Sequence, residues 1–149
     1  MDQGEIVIHM SSQPRFFCVA RAAAEAAALA CRLGSKEAAQ VKLAVTEALA
    51  NVVRHGYKGQ TDRPIRVRFV PLDDDLRPGL AIEIEDECQG VDLKAIKSRP
   101  LEQVRPGGLG VHIIQQSMDE VQYSQRSNGQ GLCLRMSKYA AAATPAELE

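Results

Sequence analysis

The chain has no tryptophan and only three tyrosines and three phenylalanines, in a composition otherwise ordinary for a globular protein, 45% hydrophobic and 25% charged. Its four cysteines, Cys18, Cys31, Cys88 and Cys133, are scattered and form no Cys-x-x-Cys pair. That spacing argues against a zinc site and a disulfide framework, and packed, reduced thiols fit a cytoplasmic protein. Neither sign of charge dominates: 18 Lys and Arg stand against 19 Asp and Glu, a formal net charge of -1. With no basic stripe, a direct nucleic-acid partner is not expected. No apolar run approaches the roughly 20 residues that cross a bilayer. The acidic start Met1-Asp-Gln-Gly-Glu5 is not a secretory signal, so no membrane contact is expected.

What is present reads as one domain of 149 residues, long enough to bury roughly two-thirds of its unfolded surface. Alternation of Ile6, Ile8 and Met10 with Val7 and His9 marks a first strand, with His9 given no catalytic role. Ser11 and Ser12 are candidate N-caps and Pro14 suits a first helical turn. The helix that follows, through the alanine-rich run from Ala20 to Ala30, extends to about Leu33, with Gly34 as its stop and Ser35 as cap of a second helix ending at Gly56. Ile65–Val70 and Leu80–Glu85 are two alternating strands whose outward residues are Arg66 and Arg68 on one and Glu83 and Glu85 on the other. That charge match makes them antiparallel hairpin partners. The acidic trio Asp73, Asp74 and Asp75 in the polar turn between them is read as exposed loop and not as a metal site.

Asp92–Arg99 is expected as a short helix before Pro100, the Pro- and Gly-rich Arg99–Gly110 reads as a mobile loop, and Gly110–Met118 resumes a helical pattern. Glu120–Arg126 and Gly131–Lys138 flank Asn128-Gly129, a strong hairpin signal. The sum is β-α-α-β-β-α-β-β. The expected class is α+β, a two-layer sandwich in which a mixed, mostly antiparallel sheet of about five strands packs on three helices. The domain spans residues 1–139, with 140–149 as a frayed tail.

The segment from Lys42 to His55 carries the most chemistry. Glu47, Asn51 and His55 stand i, i+4, i+8 beside an apolar stripe of Val41, Val45, Ala48 and Val52. A carboxylate and a carboxamide at the rim of a buried face are costly unless they meet something polar. A glutamate accepts a proton and an amide oxygen binds a hard cation such as Mg²⁺. Taken alone, such a pair is more often a solvated helix face. Two further motifs change the balance. Asp86-Glu-Cys-Gln-Gly90 leaves a strand end, where an acid can accept from an exocyclic amine and a glycine admits a flat base. Gly107-Gly-Leu-Gly110 opens a helix, where backbone N–H groups and the helix dipole favour phosphate.

Together these motifs resemble the boxes of the GHKL nucleotide-binding superfamily, and most closely the bacterial anti-sigma-factor serine/threonine kinases of the RsbW type. Thr46-Glu-Ala-Leu-Ala-Asn51 with Arg54-His-Gly-Tyr57 is similar to the first box. Asp86–Gly90 is similar to the adenine box. Gly107-Gly-Leu-Gly-Val-His-Ile-Ile114, with Met118–Tyr123 after it, is similar to the last glycine box and the strand that follows. The resemblance runs from about Ile6 to Lys138 and implies a Bergerat-type ATP-binding fold.

It further implies that ATP and Mg²⁺ are used. Asn51 would bind the metal, and Glu47 would orient or deprotonate a serine hydroxyl. Asp86 would receive the adenine amine, with Gly90 lining the base. Gly107, Gly108 and Gly110 would face the phosphates under a lid from Arg99 to Gly110. Arg105 is either a cation for the transferring phosphoryl group or a solvated loop residue, and His55 is a helix cap or a phosphate ligand. The implied partners are a STAS-type antagonist, a sigma factor and a second copy in a homodimer. The chain departs from the family where Cys88 replaces a glycine, which would alter the turn or weaken base binding. The alternative function is therefore a nucleotide-responsive binding regulator without kinase activity. The ATP module of a two-component histidine kinase fits poorly, because no preceding dimerisation helix with a phospho-accepting histidine is expected and His9 falls in a strand.

Overall fold

A computed structural model describes residues 4–73, 77–88, 109–126 and 130–141. Strand β1 (Ile6–Ser11) leads through a 3₁₀ turn, Pro14–Phe16, into α1 (Phe17–Ala30). Helix α2 (Ser35–Asn51) continues into one π-helical turn, Val52–Gly56. Strands β2 (Pro64–Asp73) and β3 (Pro78–Asp86) follow, then α3 (Leu109–Ser117), β4 (Glu120–Gln125) and β5 (Leu132–Tyr139).

The five strands form one sheet in the order β1-β2-β3-β5-β4, and every pairing is antiparallel. Helix α2 packs against both α1 and α3. The core lies between α2 and the sheet. Val41, Ala44, Val45, Ala48 and Leu49 of α2 are buried with Ile65, Val67 and Phe69 of β2 and Leu80, Ile82 and Ile84 of β3. Ala20, Ala24, Ala27 and Ala28 of α1 are buried too, and such small side chains let two helices approach closely. This is the expected α+β sandwich.

The charge match between β2 and β3 holds in the register, with Arg66 opposite Glu85 and Arg68 opposite Glu83. Arg68 Nε donates to Glu83 Oε2 at 2.7 Å, and Arg135 of β5 reaches Glu83 Oε1 at 2.8 Å from the other side. These side chains alternate with the core residues, so they cover the sheet face opposite the helices. Both strands run longer than the alternation implied. Pro71 sits inside β2 opposite Leu80, beyond Phe69, where the pairing with β1 has already ended. A proline missing its N–H is tolerated at such an unpaired edge. Asp73 therefore closes β2, and Asp74 and Asp75 lie outside the described residues.

Two expected helix boundaries are corrected. Gly34 does not stop α1. Arg32 takes the left-handed conformation (φ 66°), and the Leu33 N–H reaches back to the Ala28 carbonyl at 3.0 Å. That is the six-to-one bond of a Schellman ending, made here without glycine. Gly34 is instead the extended N-cap residue of α2, and Ser35 is already inside the helix. Ser12 does not cap α1 either. It is fully buried, and its hydroxyl donates to the Gln60 carbonyl at 2.7 Å while accepting the Arg63 N–H at 3.1 Å.

Candidate functional site

The α-helical spacing puts Glu47 and Asn51 one turn apart on α2, both half-buried. The Asn51 Oδ1 is buried and has no hydrogen-bond partner among the described residues. An orphaned buried acceptor is costly, and its chemistry, a neutral hard oxygen, fits a Mg²⁺ ligand. The row that the sequence extended to His55 is broken. The Tyr57 N–H bonds the Val52 carbonyl five residues back at 2.7 Å, a π turn that shifts the i, i+4 register, and His55 lies exposed. π turns inside helices recur at functional sites.

The widened turn delivers Gly56 to the end of β3. A Cβ at Gly56 would stand 3.5 Å from Cys88 Sγ and 3.6 Å from Asp86 Oδ2. Next to it, the buried Tyr57 hydroxyl donates to the Pro64 carbonyl and accepts the Glu87 N–H at 2.7 Å. Burial raises its phenol pKa, with the Glu87 N–H opposing. One side chain thereby ties the helix end to the start of β2 and the exit of β3. Tyr57 stood inside a quoted motif, but no spacing argument singled out this bridge.

Asp86, the last residue of β3, is 3% exposed. Its Oδ1 accepts the Cys88 N–H at 3.0 Å and the Leu132 N–H of β5 at 3.1 Å. Burial pushes this carboxyl above the ordinary aspartate range, and the backbone donors with Arg126 pull against it. Arg126 lies within 3.5 Å of Glu85 and 3.8 Å of Glu87. Gly131, which precedes Leu132, has φ +113°, and a Cβ there would fall 2.0 Å from the Asp86 carbonyl oxygen. Only glycine fits, a demand set by a residue far away in sequence.

Cys88 does not force a left-handed turn, since the described non-glycine residues with positive φ are Arg32 and Lys58 alone. Its side chain turns inward to 6% exposure. Burial first, and then Asp86, push the thiol up to about 11. A cavity of about 240 Å³ opens here, lined by Gly56, Tyr57, Lys58, Arg63, Glu87 and Cys88. A larger one of about 450 Å³ lies at the far end of the strands, between Cys31, Phe69, Leu72 and Leu80. It is remote from Asp86 and from α2's polar pair.

Gly110 falls in the first turn of α3. Gly90, Arg105, Gly107 and Gly108, with the segment expected as a short helix at 92–99 and most of the expected 99–110 loop, lie outside the described residues. The structure thus brings Asp86, Cys88 and Gly56 together and holds Glu47 beside Asn51. Among the described residues no cluster of His, Cys, Asp and Glu could hold a metal, and the four cysteines are unpaired.

The family described as the histidine kinase-like ATPase domain matches residues 10–138. The chain belongs to this family. Among curated proteins it is similar to the serine-protein kinase RsbW of Oceanobacillus iheyensis, 29% identical over 91% of this chain and 87% of the relative. RsbW of Bacillus pumilus is 32% identical over 74% and 72%, and that of Bacillus subtilis 27% over 90% and 84%. Kinase activity is thus supported at the level of the family, and ATP is the nucleotide that such a family uses. No described helix is long and apolar enough to cross a membrane.

Proposed function

We propose that this chain is an ATP-dependent protein serine kinase. It would phosphorylate a STAS-type anti-sigma-factor antagonist and, when free of that partner, sequester a sigma factor in the cytoplasm, with residues 1–139 as the working domain. The observation that carries this reading is the pairing of Glu47 with a buried, unsatisfied Asn51 Oδ1 one turn away, in a chain related over most of its length to serine-protein kinases.

In this reading Asn51 Oδ1 is the protein's Mg²⁺ ligand, and the metal, when bound, neutralises charge on the phosphates. Asp86 accepts the adenine amine and Gly90 lines the base. Gly107, Gly108 and Gly110 turn N–H groups to the phosphates at the start of α3. Glu47 orients the substrate serine and takes its proton as the serine oxygen bonds to the γ-phosphorus and the bond to the ADP oxygen breaks. Arg105 supplies positive charge to the phosphoryl group in transfer. Such a step is almost wholly positioning and electrostatics, which suits a site with few reactive groups.

The test is phosphotransfer from ATP to a cognate antagonist. Glu47→Ala should lower the rate by two orders of magnitude or more, about 3 kcal/mol, with nucleotide affinity little changed. An unchanged rate would remove Glu47 from the chemistry.

A second reading rests on Cys88, a buried side chain where the family's adenine box has glycine, two residues from the carboxylate meant for adenine. Here the chain is a nucleotide-responsive regulator that binds partners without phosphorylating them. Partner binding that shifts with nucleotide but yields no phosphorylated product would favour it.

A further inference from the structure

We propose that Cys88 is a base-selecting residue, its thiol donating a hydrogen bond to the adenine ring nitrogen adjacent to the amine that Asp86 accepts. The inference rests on reading Asp86 as the adenine site and adds a residue to it.

Asp86 and Cys88 stand two apart at the end of β3 and are both buried, at 3% and 6% exposure. Oδ1 of Asp86 is held by two backbone donors, Cys88 N–H and Leu132 N–H. The position of an absent Cβ on Gly56 lies 3.6 Å from Asp86 Oδ2 and 3.5 Å from Cys88 Sγ. Carboxylate and thiol thus border the same small space, which the glycine keeps free of a side chain. In the structure the thiol lies beside the Asp86 carboxylate, which adds to burial in holding it protonated. Its hydrogen turns about the Cβ–Sγ bond, so the thiol can donate to an incoming base.

Adenine presents an amine donor and, beside it, a ring-nitrogen acceptor. Asp86 and Cys88 offer an acceptor and, beside it, a rotatable donor. Guanine presents the opposite order, a carbonyl oxygen beside a ring N–H, which would set oxygen against carboxylate and leave the thiol without an acceptor. Burial keeps the thiol protonated across the neutral range, with its pKa up at about 11, so the donor is present whenever nucleotide is bound.

The experiment compares dissociation constants of ADP and 1-deaza-ADP, in which that ring nitrogen is a C–H. The proteins are the wild type, Cys88→Ala, Cys88→Ser and Asp86→Asn. The wild type should prefer ADP by about three- to ten-fold, the worth of one hydrogen bond. Cys88→Ala should bind both nucleotides alike, and Cys88→Ser, which keeps a donor, should restore the preference. A merely packed thiol would leave the ADP to 1-deaza-ADP ratio unchanged in Cys88→Ala, and that result overturns the inference, as does a ratio of one in the wild type. If neither nucleotide binds the wild type, or Asp86→Asn binds ADP undiminished, the adenine-site reading has failed and the inference falls with it.

Discussion

The Leu132 N–H at the start of β5 donates to Asp86 Oδ1, at the end of β3, across 3.1 Å. A side chain proposed to read a nucleotide base is therefore also a splice between two adjacent strands. Its geometry is set before any ligand arrives, because the Cys88 N–H holds the same oxygen. The first prediction separates the two roles.

Asp86→Asn keeps an oxygen for both backbone donors and removes the charge. Burial raises the folded pKa of Asp86 above its ordinary value of 3.8. Between that value and the raised one the folded state binds more protons than the unfolded state, so this group's contribution to stability declines as pH rises through the window. Once ionised, Asp86 opposes folding. The variant should melt no lower than the wild type at pH 7, and its advantage should shrink as the pH falls toward 4. Melting curves of both proteins from pH 4 to 8 check this, and a variant markedly less stable at pH 7 would contradict it.

Gly131→Ala should be among the most damaging single-methyl additions in the chain. The new Cβ would meet the Asp86 carbonyl at 2.0 Å, in a backbone conformation that L side chains avoid. A loss of about 3 kcal/mol, near 10 °C in melting temperature, is expected. Gly59→Ala is the control. Its φ is +87° but nothing lies within 4 Å of the added methyl, so only the conformational cost of about 1–2 kcal/mol applies.

Tyr57→Phe removes the donor to the Pro64 carbonyl and the acceptor for the Glu87 N–H. The ring still fills its place, so the expected loss is about 1–2 kcal/mol. Chemical denaturation reads this, and ADP affinity should drop with it because the β3 exit beside Asp86 loosens. A variant as stable as the wild type would show that the bridge contributes nothing.

Glu83→Gln tests the charge lattice on the open face of the sheet. Arg68 and Arg135 both converge on this carboxylate, whose side chain is 14% exposed. The loss should be about 1 kcal/mol and smaller at 1 M salt, where screening has already weakened the pairs. A salt-independent loss would assign the effect to packing.

The sheet and helices were largely legible in the sequence because their signals are local and periodic. Val41, Val45, Ala48 and Val52 repeat at helical spacing, and Arg66 and Arg68 match Glu83 and Glu85 across a hairpin. The candidate site was legible only as residue types. The π turn is invisible to a 3.6-residue pattern, so His55 stayed in line with Glu47 and Asn51 until the Val52–Tyr57 bond displaced it. Gly131 and Ser12 owe their roles to Asp86 and to Gln60 and Arg63, partners that only tertiary structure supplies. Arg32 in place of Gly34 as the left-handed residue ran against the ordinary preference for glycine.

The proposed function needs a Mg²⁺-dependent nucleotide site built on Asn51 and Asp86. The most direct test is calorimetric titration of ADP into the wild type and Asn51→Ala, each with and without Mg²⁺. Mg²⁺ should tighten ADP binding to the wild type by at least ten-fold, about 1.4 kcal/mol, and Asn51→Ala should lose most of this gain while keeping its metal-free affinity. Equal Mg²⁺ dependence in the two proteins, or no binding at millimolar ADP, would contradict it.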